Sequence, residues 1–120
     1  MATTFDEALA HFITQCAYVI ATHELATKWR LELTNDYLLD LYFNETLGKY
    51  SYTLAKAGKR IWGWDNAPHH PGLINFPHHA HQPDGTVVPS SLTGQPNLDL
   101  VEVRILVETY LAGQEVEPEQ

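Results

Sequence analysis

A chain of 120 residues with 15 acidic side chains against seven basic ones carries a formal charge of −8, and its 44% hydrophobic and 18% charged content is that of an ordinary globular protein. Its size suits one core, and its acidity argues against non-specific binding of nucleic acid, since like charge repels phosphate over a Debye length of roughly 8 Å. No apolar run is long enough to span a bilayer, MATTFDEALA has neither a basic nor an apolar signal region, and the single Cys16 excludes an internal disulfide, so one cytoplasmic domain over 1–120 is expected.

Thr4 and Glu7 are spaced as a capping box, and Phe5, Leu9, Phe12, Ile13 and Cys16 recur at helical spacing, which predicts a helix within 1–17. Tyr18 to Thr22 suits either an extension of that helix or a strand. A meander then fills 18–65. Leu31 and Leu33 alternate with polar residues up to a turn at Asn35-Asp36, and Tyr37, Leu39, Leu41 and Phe43 form the next period-two face. Asn44 to Gly48 turns the chain again. The following hairpin has a two-residue Ala57-Gly58 loop, which sets Leu54 opposite Ile61 and Tyr52 opposite Gly63. On that register Tyr50, Tyr52, Leu54 and Ile61 share one face, and Arg60, Trp62 and Trp64 share the other.

From residue 66 to 96 the chain is a Pro/His-rich loop with short strands. Six of the seven prolines fall between Asn66 and Asn97, and Asp84 is the only formal charge there. Pro83-Asp84-Gly85 reads as a tight turn folding His79-Ala80-His81 back against Thr86-Val87-Val88. Asn97 is expected to cap a C-terminal helix over 97–113, wide in its apolar arc and hence well buried, with Gly113 stopping it and an acidic tail over 114–120. The expected class is α+β: an antiparallel meander of about four to six strands with both helices on one face.

The chemistry concentrates in WDNAPHHPGLINFPHHAH, residues 64–81, which holds five of the seven histidines and Asp65 as its only acid. A basic island of Lys49, Lys56, Lys59 and Arg60 lies just upstream, in a span from Thr46 to Trp64 without acids. Two kinds of site can be built from these parts. Three neutral imidazoles bind Zn²⁺; His79 and His81, at i and i+2 on a strand, point to one side, with His69 or His70 (His70 in the set taken) as a third ligand and His78 pointing away. Alternatively, and without any cofactor, RNA cleavage needs a base for the 2′-hydroxyl, an acid for the leaving oxygen and a cation for the developing charge. Histidine serves both proton roles, and Arg matches phosphate. The catalytic candidates are then Arg60, Asp65, His69, His70, His79 and His81. Lys56, Lys59, Trp62 and Trp64 would bind substrate, with Tyr50 as a further stacking face. Each part has a plainer use: Asp65-Asn66 is good turn chemistry, proline-flanked histidines satisfy loop carbonyls, and Tyr50, Tyr52 and Phe43 suit a core.

YSYTLAKAGKRIWGWDNAPHHPGLINFPHHAH, followed by VVPSSL and a closing helix, resembles the TumE-type toxin family of prokaryotic toxin–antitoxin systems, from about Leu31 to Leu111. The D-N-A-P-H-H-P and P-H-H-x-H motifs carry the resemblance. It implies a small cytoplasmic toxin of a type II pair, silenced by a cognate antitoxin that is a small DNA-binding protein, and growth inhibition by attack on RNA. It leaves room for a homodimer. The acidity of the chain widens the expected ligand to a nucleotide or a tRNA end, or to a non-enzymatic metal- or ligand-binding module acting through its partner.

Overall fold

The computed structural model describes residues 3–115, so the acidic tail lies largely outside the described residues. Helix α1 (Thr4–Gln15) starts one residue earlier than the Thr4/Glu7 spacing suggests. Thr3 takes the cap, its hydroxyl accepting from the Asp6 amide at 3.0 Å, while the short Asp6 side chain reaches back to the Thr3 N–H. Seven strands follow: β1 (Val19–Glu24), β2 (Trp29–Leu33), β3 (Tyr37–Asn44), β4 (Lys49–Lys56), β5 (Lys59–Asp65), β6 (His79–His81) and β7 (Val87–Pro89). Helix α2 (Pro96–Gln114) closes the chain. The sheet runs β1 to β7 in sequence order, antiparallel throughout, as local turns favour. Its strand number exceeds four to six because 19–24 is a strand and the proline-rich stretch supplies two three-residue ones. β6 and β7 fold about the Asp84-Gly85 turn and pair His81 with Val87.

Alternate residues of the central strands build the core. Leu31, Leu33, Leu39, Leu41, Tyr52 and Leu54 are fully buried against Leu9 and Phe12 of α1 and Leu100, Val103 and Val107 of α2. Among the described residues the other sheet face carries no helix. Helix α2 departs from its expected form in three respects. Pro96, pre-set for the first helical position, starts it with Gln95 at the cap, so Asn97 caps nothing. Instead the buried Asp99 carboxylate accepts from the Thr93 and Gly94 amides at 2.9 and 2.7 Å, pinning the incoming loop. The helix runs through Gly113, which stays out of the left-handed region. It is also buried on one side only: Leu98 and Ile105 are half exposed because the sheet covers a single face.

The β4–β5 hairpin corrects the expected register. Ala57 and Gly58 both take positive φ (53° and 74°) in the two-residue loop, and Lys56 pairs with Lys59 and Ala55 with Arg60. Leu54 then pairs with Trp62, not Ile61, and Tyr52 with Trp64, not Gly63. Ile61 is thus an extra residue, a β-bulge that flips every later side chain of β5 to the other face. The physical reason is area: the slip puts two indoles on the helix side, where Trp64 is only 2% exposed and stacks on Trp62 at 5.7 Å, while Ile61 stays partly packed against the core.

Candidate functional site

The same bulge assembles the site. Arg60 and Asp65 are five residues apart, an odd number that sends them to opposite faces of a regular strand. With Ile61 inserted, both stand on the open face. Two rows cross the sheet there. One runs Tyr42, Ser51, Asp65, His79 over β3 to β6; the next runs Asp40, Thr53, Gly63, His81. Gly63 lacks the side chain that would obstruct Arg60: a Cβ there would sit 3.0 Å from the Arg60 Cδ. Arg60 therefore lies along the sheet and reaches His81.

Asp65 is the hub. One of its oxygens accepts from the Ala67 amide at 2.9 Å, the turn chemistry that the Asp-Asn-Ala-Pro sequence suggests. That oxygen also faces Nε2 of His79 at 3.1 Å, and the other faces Nε2 of His81 at 3.3 Å. Asn66 spends its side chain on the Tyr50 N–H and the Gly48 carbonyl, tying the start of the loop to the sheet edge. His81 has its second nitrogen, Nδ1, 3.3 Å from the Arg60 guanidinium, which can only donate. Its Nδ1 is therefore the acceptor and its Nε2 the N–H that donates to Asp65. Burial, then the Arg60 charge, pulls the His81 imidazole below the ordinary histidine value, while Asp65 pulls the other way. A neutral imidazole in a fixed tautomer, 15% exposed, is the result.

His79 is held differently. Its Nδ1 faces the Pro77 carbonyl at 3.0 Å, to which it can donate, and its Nε2 lies 3.1 Å from an Asp65 oxygen. At 2% exposure it is a buried ring packed beside Asp65. His70 comes in from the loop, its ring centre 4.7 Å from that of His79 and 6.1 Å from that of His81.

The structure thus brings Arg60, Asp65, His70, His79 and His81 together and leaves other candidates apart. His69 is exposed and lines a neighbouring cavity instead of joining the cluster. His78 turns to the helix side, where its Nδ1 shares a hydrogen bond with the Tyr50 hydroxyl at 2.8 Å; burial keeps that tyrosine protonated. Tyr50, Trp62 and Trp64 face the core and offer no stacking surface beside the cluster. Lys56 lies over the Tyr37 ring at 4.6 Å, across the sheet from Asp65, and Lys59 projects from the hairpin tip beside it. Tyr42 and Ser51 were missed as site residues. The signal for Tyr42 was present, since the Leu39-Leu41-Phe43 alternation leaves it on the opposite, polar face.

As a cation site, Asp65, His79 and His81 place one donor atom each within 4.8 Å of one another, so Asp65 takes the place expected of His70. The bond from His79 Nδ1 to Pro77 is the kind that orients a ligating imidazole. Among the described residues no helix is long and apolar enough to cross a membrane.

A family model described as Toxin TumE matches residues 8–111, most of the chain. No curated protein and no solved structure matches it.

Proposed function

This chain belongs to the TumE toxin family, whose members imply an antitoxin partner, and on that premise we propose that it arrests growth by cleaving RNA without a metal. The single observation that supports this most is the connected set Arg60–His81–Asp65–His79 on the open sheet face. His81, neutral and oriented by Asp65, takes the proton of an RNA 2′-hydroxyl on Nδ1 as that oxygen attacks the adjacent phosphorus. Arg60, beside the same nitrogen, pairs with the phosphate and offsets its developing charge. The P–O5′ bond breaks, and His70 gives the departing 5′-oxygen its proton. The products are a 2′,3′-cyclic phosphate and a 5′-hydroxyl. His79 does not touch substrate; it packs beside Asp65 and holds it in place. The chain acts in the cytoplasm as half of a type II pair, its antitoxin a small DNA-binding protein.

The test is induction of the wild type and of His81→Gln in the same host, with growth and total RNA followed at early times. Arrest with RNA loss in the first and neither in the second is expected; equal arrest by both removes His81 from the chemistry.

We also infer a second reading from the three donors of Asp65, His79 and His81: a module that binds Zn²⁺ and performs no turnover. Protein purified without a His-tag and found to carry one zinc per chain, lost in Asp65→Ala, favours it.

A further inference from the structure

We propose that the cavity on the far side of Asp65 from Arg60 seats one nucleobase of a single-stranded RNA against Tyr42, with Lys49 and His69 holding the adjoining backbone. This rests on the ribonuclease reading of Arg60, Asp65 and His81 and adds to it where the substrate is gripped.

The cavity measures about 400 Å³ and is lined by Tyr42, Lys49, Ser51, Asp65, Pro68 and His69. That is the scale of a small-ligand site, with room for one base and its ribose. Its floor is not accidental. Tyr42, Ser51 and Asp65 are register neighbours in one row across β3, β4 and β5, on the helix-free face. Its outer wall is the start of the loop after β5, held to the sheet by both ends of the Asn66 side chain and by the Ala67 amide on Asp65. A cavity with a strand floor and a pinned wall keeps its shape without a ligand.

The lining has the parts that hold a splayed base. Bases without neighbours to stack on are held on aromatic faces, and stacking tolerates any of them because each has a π-face. With Tyr50, Trp62 and Trp64 turned to the core, Tyr42 is the aromatic wall left for this on the open face beside Asp65. Lys49 and His69 are exposed at the same cavity, and among the described residues Lys49 has no carboxylate partner within 4.0 Å. An unpaired ammonium in a chain of net charge −8 marks the local place where a phosphate is welcome, and this answers how an acidic protein takes a polyanion.

Asp65 ties the two halves together. It is the shared wall: one side of it lines the cavity, the other orients His81 beside Arg60. The row bearing Tyr42 and the row bearing His81 are two residues apart along the strands, ~7 Å, and Tyr42 on β3 lies three strand spacings, ~14 Å, from His81 on β6, a span that takes more than one nucleotide of extended RNA. A base seated on Tyr42 therefore leads the strand past Asp65, so that a phosphate farther along meets Arg60 and a 2′-hydroxyl comes near His81. Specificity would come from the cavity and chemistry from the cluster.

The probe is a short single-stranded RNA with 2′-O-methyl groups, which lacks the nucleophile and cannot be cleaved. Its affinity is measured for the wild type, Tyr42→Ala, Tyr42→Phe and Lys49→Gln, each checked for an unchanged melting transition. Tyr42→Ala is expected to weaken binding about tenfold, the size of one lost stack, and Tyr42→Phe to keep it. Lys49→Gln is expected to lower the slope of log affinity against log salt by about 0.7, one phosphate contact on a single strand. With the unmodified RNA, KM for cleavage is expected to rise in Tyr42→Ala by the same factor as Kd. A folded Tyr42→Ala that binds as the wild type does, or a wild type that does not bind the probe, overturns the base seat. Binding that depends on Tyr42 in a protein that leaves unmodified RNA intact upholds the seat and overturns the ribonuclease reading instead.

Discussion

Arg60 and Asp65 hold the His81 ring between them, one at each nitrogen and each at 3.3 Å. Neither could do so without the other on the same face, and the extra residue at Ile61 puts them there. The hydrogen bonds have one consistent direction, from Arg60 to His81 to Asp65, and this direction leaves His81 able to accept a proton only on the side where Arg60 would meet phosphate.

Replacing that acceptor isolates the chemistry. His81→Gln keeps a polar side chain of similar reach at the least buried position of a three-residue strand, so the melting temperature is expected to change little. Cleavage of RNA is expected to fall by about 10²–10⁴, the usual size of a lost base. Rates within threefold of the wild type would mean that another group takes the proton.

The pH dependence has a worked sign. Burial and Arg60 lower the His81 value, so the base form persists to lower pH, and activity is expected to rise with pH through a midpoint below about 6.5. Arg60→Gln removes one lowering influence and is expected to move that midpoint up. Asp65→Asn removes the raising influence and is expected to move it down. Rate–pH profiles of the residual activity read both shifts; a midpoint that ignores both substitutions belongs to a different group.

Gly63→Ala separates placement of Arg60 from stability. The new methyl would meet the Arg60 Cδ at 3.0 Å, and Arg60 is an exposed, flexible side chain that can move off. A change in stability below about 1 kcal/mol is expected, with a clear loss of cleavage. Full activity in Gly63→Ala would show that the lie of Arg60 along the sheet is incidental.

Asp65 should matter to folding as well as to turnover. Removing it in Asp65→Ala takes away the carboxylate beside buried His79 and the acceptor of the Ala67 amide, at a cost of about 1–3 kcal/mol. In a double-mutant cycle, adding His79→Gln to Asp65→Ala is expected to cost much less than His79→Gln alone. Denaturant midpoints of the four proteins test this; strict additivity would mean that the two side chains do not depend on each other.

Much of this was legible wherever period-two patterns and turn residues agreed. The alternation of Leu31, Leu33, Leu39 and Leu41 marks the core face, and Asp84-Gly85 marks the turn that folds His79 and His81 onto one side of β6. Asp65 and Asn66 were readable as turn chemistry, and their hydrogen bonds follow that reading. The face of Trp62 and Trp64 was not readable, because a strand's sequence does not mark where one extra residue enters. The choice was made by tertiary packing of two indoles against the helices. His69 and His70 are adjacent and equal as letters, yet one lines the cavity and the other meets His79, a division set by the path of a proline-bound loop. The end of α2 at Gln114 and not at Gly113 shows the same limit: a glycine permits a stop but does not impose one.

The most direct measurement is the chemistry of the cut ends. Purified wild-type protein and His81→Gln are incubated with a defined single-stranded RNA in the presence of EDTA, and the fragments are analysed for their termini. Fragments ending in 2′,3′-cyclic phosphate and beginning with 5′-hydroxyl, made by the wild type and not by His81→Gln, are expected. Intact RNA with the wild type, or the same fragments from both proteins, would contradict a metal-free acid–base centre at Arg60, Asp65 and His81.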